Sequence, residues 1–273
     1  MTAPLFPTAD ITPFAPAAYK VLAWQIFFAS RNRGITLETH FPWLDSEQAY
    51  FVTVQSAGEV VAGLAVKRVP CPSRRHVAGV VGMVCVHPLY RGRGYSTTML
   101  QAAIGHARAL GIDDLVLWTG KPGVYQTQGF VPSDSACFGT VAGAGPGLAR
   151  QTDTQCAAWP DSTGKTGSRG LPPFATSALR WSNSRAAIIV MQVGAGSVLA
   201  EWEGADSEVM NLISQAMPGR WSINALQSDT LPAMLRQRGM ALDLAPSGLQ
   251  MILNLIPRHG PVDPYQLRIL DRI

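Results

Sequence analysis

The sequence predicts an α/β (α+β) fold in which mixed sheets are flanked by helices, organised as two lobes. Three observations predict it. The chain has 273 residues, more than a usual single domain and enough for two lobes of roughly 100–150 residues. Strand-like and helix-like apolar periodicities alternate along it. Val141 to Pro173, rich in Gly, Pro, Ser and Thr and poor in periodicity, separates two regions of regular pattern. The expected boundaries are 1–145 for the first lobe, 146–176 for a linker and 177–273 for the second lobe.

In the first region, Ala17 to Ser30 carries Tyr19, Leu22, Ala23, Ile26 and Phe27 at helical spacing. Tyr50 to Gln55 and Val60 to Val69 are β-rich runs joined by Ser56-Ala57-Gly58-Glu59, a hairpin connection. Val77 to Val86 is apolar on both alternations, as a strand covered on both faces is. Met99, Leu100, Ala103, Ile104, Ala107 and Leu110 line one face of a helix over Ser96 to Leu110, which Gly111 closes. Leu115 to Trp118 is a short apolar strand, and strand, helix and strand in so short a span predict a right-handed crossover between parallel strands.

The second region gives strands at Ala186 to Val193, Ser197 to Trp202, Trp221 to Leu226 and Leu249 to Leu255, with helices at Asp206 to Met217 and Leu231 to Arg238. This order repeats that of the first lobe, which predicts a structural duplication.

Composition narrows the function. Hydrophobic residues make up 47% and charged residues 15%, so a packed core is expected and disorder is not. The net charge of +4, from scattered Lys and Arg, suits an anionic small molecule as well as a nucleic acid, and the lack of aromatic–basic interleaving argues against nucleic acid. No leader-like N-terminus and no bilayer-length apolar run is seen, so the expectation is a cytoplasmic protein with no membrane partner. Cys71, Cys85, Cys137 and Cys156 have neither CxxC spacing nor a His cluster nearby, so no metal site and no disulfide framework is expected.

The chemistry concentrates where Val84-Cys85-Val86-His87-Pro88-Leu89-Tyr90 runs into Arg91-Gly92-Arg93-Gly94-Tyr95-Ser96. A strand ends, the chain turns on glycines and a helix begins. Glycines allow close backbone approach, and the free N–H groups and positive dipole end of a first helical turn attract an anion. Arg91 and Arg93 add charge, so the expected guest is a pyrophosphate or similar polyanion. Downstream, Tyr125 stands four residues before Gly129-Phe130.

Together these segments resemble the GNAT acetyltransferase superfamily, whose acyl-CoA loop reads Gln/Arg-x-x-Gly-x-Gly/Ala and is followed by a Tyr-x-x-x-Gly-Phe segment. Arg91, Gly94 and Ser96 take the loop's defining positions, Ser96 being a departure from Gly/Ala. The resemblance covers Tyr50 to Pro132 by motif and the remainder by element order. It implies that acetyl-CoA is the cosubstrate, bound by Arg91, Gly92, Arg93, Gly94, Tyr95 and Ser96 and by the strand residues Met83, Val84, Cys85 and Val86. It further implies that those strand amides polarise the thioester, that Tyr125 protonates the departing CoA thiolate, and that a primary amine attacks directly. A silent, acyl-CoA-sensing module of the same fold is the alternative reading.

The general base is not legible. Where some relatives carry a glutamate, eleven residues before the loop arginine, this chain has Val80. Glu38, His40 and His76 remain open as candidates, as does the identity of the amine, whose site the resemblance sets beside Arg31 to Leu44, with Phe41 and Trp43. Gly164-Lys165-Thr166 looks like the end of a phosphate-binding loop, but Trp159 stands where its first glycine belongs. The second lobe offers Trp202-Glu203-Gly204-Ala205-Asp206 at its corresponding junction, with carboxylates that repel pyrophosphate, and is expected to be degenerate. Oligomeric state is not legible.

Overall fold

In the computed structural model, residues 8–32, 34–71, 76–133, 136–143, 153–160, 169–217, 219–256 and 267–273 are described. Gly164-Lys165-Thr166 lies outside them. The chain divides into two compact units, Met1–Ser133 with Leu249–Tyr265 and Arg272–Ile273, and Asp134–Gly248 with Gln266–Asp271.

The first unit opens with β1 (Ala9–Thr12), α1 (Ala17–Phe27) and α2 (Leu37–His40), followed by β2 (Ala49–Ser56), β3 (Glu59–Cys71) and β4 (His76–Val86). Then come α3 (Tyr95–Ala109), β5 (Asp114–Trp118), α4 (Pro122–Gln126) and β6 (Val131–Pro132). The β2–β3 hairpin turns at Ala57 and Gly58, both at positive φ (51° and 83°), as its tight connection requires. β4 and β5 pair in parallel, joined by α3, so the crossover read from the sequence is present.

The second unit holds β7 (Ala136–Ala142), β8 (Gln155–Trp159), β9 (Ser177–Ser182), β10 (Ala186–Val193), β11 (Gly196–Gly204), α5 (Asp206–Ala216), β12 (Arg220–Leu226), α6 (Leu231–Gln237) and β13 (Ala241–Pro246). The last strand is β14 (Gln250–Asn254). Among the described residues each sheet has seven strands, ordered β1-β2-β3-β4-β5-β14-β6 and β13-β7-β12-β11-β10-β9-β8. Each contains one parallel pair, β4 with β5 and β11 with β12, inside an otherwise antiparallel ladder.

The expected boundaries need correction in two places. Val141 to Pro173 is not wholly linker: Ala136–Ala142 pairs with both β12 and β13, and Gln155–Trp159 pairs with β9. Nor does Leu249 to Leu255 belong to the second sheet, because Gln250–Asn254 pairs with β5 and β6. The two sheets thus exchange strands reciprocally. β14 lies between β5 and β6, and β7 lies between β12 and β13. Met251 and Leu255 complete the apolar cluster over which α3 packs Met99, Leu100, Ala103 and Ala107.

On the other face of the first sheet a second cluster joins Tyr19, Leu22, Phe28, Phe41, Trp43 and Leu44 to Met83 and Cys85 of β4. The first sheet is therefore covered on both faces, as its apolar strands require.

Candidate functional site

The site is built where β4 and β5 part. Their parallel ladder joins Ala78 to Asp114, Gly79 to Leu115 and Val80 to Val116, and ends there although β4 runs on to Val86 and β5 to Trp118. On its other edge β4 is irregular too. Gly63 of β3 faces Cys85 and Ala65 faces Gly82, so Met83 and Val84 together oppose Leu64. This is a β-bulge, and Met83 carries its strain with φ of 51°.

Tyr19 holds the bulge. Its hydroxyl donates to the Met83 carbonyl at 2.9 Å across 64 residues of sequence. The ring reaches that place because residue 63 is glycine: a Cβ there would stand 2.3 Å from the Tyr19 ring. The sequence marked Tyr19 only as part of an apolar helical face. A glycine in the middle of a strand was the available signal for a close approach.

After β4, Pro88–Tyr90 forms a single 3₁₀ turn, and Gly92 and Gly94 follow at φ of 75° and 79°. A Cβ at either glycine would meet nothing within 4 Å, so the demand is conformational and not one of space. Gly94 is the N-cap of α3 and no side chain caps the helix, which leaves its first amides without side-chain partners. Arg91 donates through Nε to the Val86 carbonyl at 3.3 Å, and Arg93 donates to the Leu89 carbonyl at 3.3 Å with its guanidinium 5.1 Å from the Tyr90 ring centroid. Both arginines are exposed, and these contacts tether them beside the start of α3. The segment Arg91 to Ser96 and the strand end Met83 to Val86 are thus contiguous.

Tyr125 lies in the short α4, which follows β5. Gly129 at φ of 90° reverses the chain, and Phe130 drops into the core with its ring 6.0 Å from that of Tyr125 in a T-shaped contact. The spacing from Tyr125 to Gly129 and Phe130 is therefore a packing device that fixes the tyrosine. Burial raises the phenol's pKa, so it stays protonated through neutral pH. Cys85, buried on β4, has its thiol pushed up to about 12 by desolvation, against a smaller lowering by a backbone hydrogen bond from Gly63. It is neutral near pH 7 and inert as a nucleophile.

The base candidates are not gathered at the bulge. His76 begins β4, seven residues before Met83 and so about 23 Å along the strand, and its Nδ1 is 3.3 Å from Asp113. His40 is buried, accepts from the Ile35 amide at 3.1 Å and stacks on Phe28 with ring centroids 4.8 Å apart. Glu38 is exposed in the first turn of α2. The expected acceptor-flanking aromatics Phe41 and Trp43 are core residues, 3% and 1% exposed.

Residues 272 and 273 bridge the opening on the α1 face. The Arg272 guanidinium lies 5.2 Å from the Trp118 ring centroid at the end of β5, and Ile273 packs on Gly82 of β4 so closely that a Cβ there would stand 2.1 Å from its carbonyl oxygen. In the second unit Arg268 sits 4.3 Å over the Trp202 ring of β11, and the Ile269 amide donates to Asn224 of β12 at 3.1 Å. There, however, α5 begins with Asp206 and Glu208 in its first turn and carries no basic residue at that end.

The buried phenols give a pH prediction. Tyr19 and Tyr50 have pKa values raised by desolvation, as does Tyr125, and the Tyr50 hydroxyl donates to Ala103 at 2.8 Å. Above the ordinary value of 10.0 the tyrosines of the unfolded chain ionise while those of the folded chain hold their protons, so their contribution to stability is fully present below pH 10 and falls above it, and the Cys85 thiol adds a like loss that begins above its ordinary value of 9.0. Each such group costs about 1.4 kcal/mol per pH unit in that window. Urea unfolding at pH 10 and 11 is expected to show this loss, and Tyr50→Phe should reduce its slope. An unchanged slope in the variant would remove Tyr50 from the titration.

Among the described residues, no group of three His, Cys, Asp or Glu side chains can hold a metal ion, and no helix is long and apolar enough to cross a membrane. Residues 17–130 match the family model described as Acetyltransferase (GNAT) family. A search of the curated proteins gives no match. The fold is similar to that of a GCN5-related N-acetyltransferase from Kribbella flavida, with 12% identity, 92% of this chain and 72% of that chain covered and a TM-score of 0.60. It is also similar to Eis1 from Mycobacterium abscessus, with 14% identity, coverage of 91% and 74% and a TM-score of 0.60. A tandem GNAT protein from the clavulanic acid biosynthesis pathway matches over 92% of this chain and 100% of its own, with 12% identity and a TM-score of 0.50. Residues 17–130 are thus similar to the acetyltransferase (GNAT) family, and the fold of two mixed α/β units is similar to that of GNAT proteins.

Proposed function

We propose that the first unit binds acetyl-CoA and transfers its acetyl group to a primary amine by direct attack. The observation that carries this reading is the juxtaposition of an uncapped helix N-terminus, two arginines and two left-handed glycines with the point where two parallel strands separate at a bulge. Pyrophosphate suits the first amides of α3 together with Arg91 and Arg93, since N–H groups, helix dipole and guanidinium charge act on the same anion.

The strand geometry suits the other end of the molecule. Beyond Val80, backbone N–H groups of β4 on the β5 side are released from the ladder, and those of Met83 to Val86 are the donors placed to polarise an acyl carbonyl and to stabilise the tetrahedral oxyanion. Tyr19 fixes this segment through the Met83 carbonyl. A neutral Cys85 thiol argues against an acyl-cysteine intermediate and for direct attack by the amine. Tyr125, kept protonated by burial, is the proton donor to the leaving thiolate.

The second unit takes no acyl-CoA in this reading, because Asp206 and Glu208 put negative charge where the polyanion would dock. We assign the protein to the cytoplasm, where acetyl-CoA is available. Calorimetric titration with acetyl-CoA tests the proposal: one site per chain is expected, with CoA release when an amine is added. Two equivalent sites, or no heat of binding at millimolar acetyl-CoA, would remove it.

A further inference from the structure

Trp118 is the last residue of β5 and stands beyond the point where β4 and β5 cease to pair. Strand alternation puts it on the face opposite Leu115 and Leu117, which pack in the α3 cluster. Its ring is held there by the Arg272 guanidinium, 5.2 Å from the centroid. The indole Nε1 is buried and has no hydrogen-bond partner.

A buried N–H without an acceptor is uncommon in folded proteins, because leaving it unpaired costs about 1–3 kcal/mol. Indole is a donor only, so whatever completes it must present an oxygen lone pair. Phe or Leu would fill the same space without that cost. The donor's address supplies the rest: it closes the strand that forms one wall of the opening, with Arg272 and Ile273 bridging the α1 face between Trp118 and Gly82. Trp118 is on the β5 side of the stretch where β4 and β5 no longer pair, and the start of α3 follows the β4 end of that stretch.

We propose that Trp118 is a positioning residue whose Nε1–H donates to a carbonyl oxygen of the acyl-pantetheine arm. This rests on the acetyl-CoA reading above. It gives β5 a side-chain contact to match the backbone donors of β4, and makes Trp118 a sensor of the arm but not of the nucleotide end.

The test uses the full chain labelled with ¹⁵N at its indoles, with the Trp118 resonance assigned by its loss in Trp118→Phe. Acetyl-CoA without any amine should move that resonance downfield, and adenosine 3′,5′-bisphosphate, which lacks the arm, should leave it in place. Trp118→Phe should weaken acetyl-CoA about three- to tenfold, the range for one hydrogen bond, leave adenosine 3′,5′-bisphosphate unchanged and keep the ligand-free melting temperature. A lower melting temperature with unchanged acetyl-CoA affinity makes Trp118 a packing residue and overturns the inference. So does a resonance that moves equally with both probes, or with neither while wild type binds acetyl-CoA. Wild type that binds neither probe removes the acetyl-CoA reading itself, and this inference with it.

Discussion

Tyr125→Phe is expected to lower kcat by about 10²-fold in a chemistry-limited assay, with little change in the Michaelis constant for acetyl-CoA. Proton transfer by a placed side chain contributes about 10²–10⁴-fold, and a thiolate is a tolerable leaving group, so the loss belongs at the lower end of that range. The substitution removes only the hydroxyl. The T-shaped contact with Phe130 and the turn at Gly129 remain, so the fold should be kept. Desolvation raises the phenol's pKa, and wild type therefore keeps its acid through neutral pH. The deficit of the Phe variant should shrink toward high pH, where protonating the thiolate matters least. Equal kcat for the two proteins would leave Tyr125 as a packing residue and place the acid elsewhere.

Much of the local structure around the candidate site was legible in the sequence because its determinants are local. Arg91 to Ser96 announces a strand-to-helix turn through two glycines that need positive φ, and Tyr125, Gly129 and Phe130 are bound together by one short helix and the reversal that ends it. The hairpin at Ala57-Gly58 and the apolar face of α3 are local in the same sense. What was not legible is long-range. A run such as Met251-Ile252-Leu253 reads as a strand wherever it docks, and nothing in it tells which sheet it completes.

The missed strands have a related cause. Ala136–Ala142 alternates weakly and includes Gly139, which reads as loop chemistry. The structure explains the glycine: β13 approaches so closely that a Cβ would lie 1.8 Å from the Asp243 carbonyl oxygen. Tyr19 is a third case. Its apolar spacing gave the helix correctly, but its hydroxyl acts across 64 residues on the carbonyl of a strained Met83, and no local pattern encodes that pairing. A general base is not legible on β4, where position 80 is an apolar valine that is fully buried.

Charge reversal at the loop should have the largest effect on binding. Arg91→Glu is expected to abolish the rise in melting temperature that acetyl-CoA gives wild type, a stabilisation of about 2.7 kcal/mol at a hundredfold excess over the dissociation constant. Arg91 is tethered to the Val86 carbonyl at 3.3 Å, and three residues later Gly94 opens a helix with no side-chain cap. A carboxylate at position 91 would place negative charge beside the anion that those amides attract, adding repulsion to the lost attraction. Gly94→Asp should act alike and for a further reason, since φ of 79° disfavours a side chain there even though space is free. Because both positions are exposed, ligand-free stability should fall little for Arg91→Glu and somewhat more for Gly94→Asp. The matched control is Glu203→Gln with Asp206→Asn in the second unit, which should leave acetyl-CoA affinity nearly unchanged. If the control variant loses binding while Arg91→Glu keeps it, the polyanion docks at the start of α5 and the assignment of the two units is reversed.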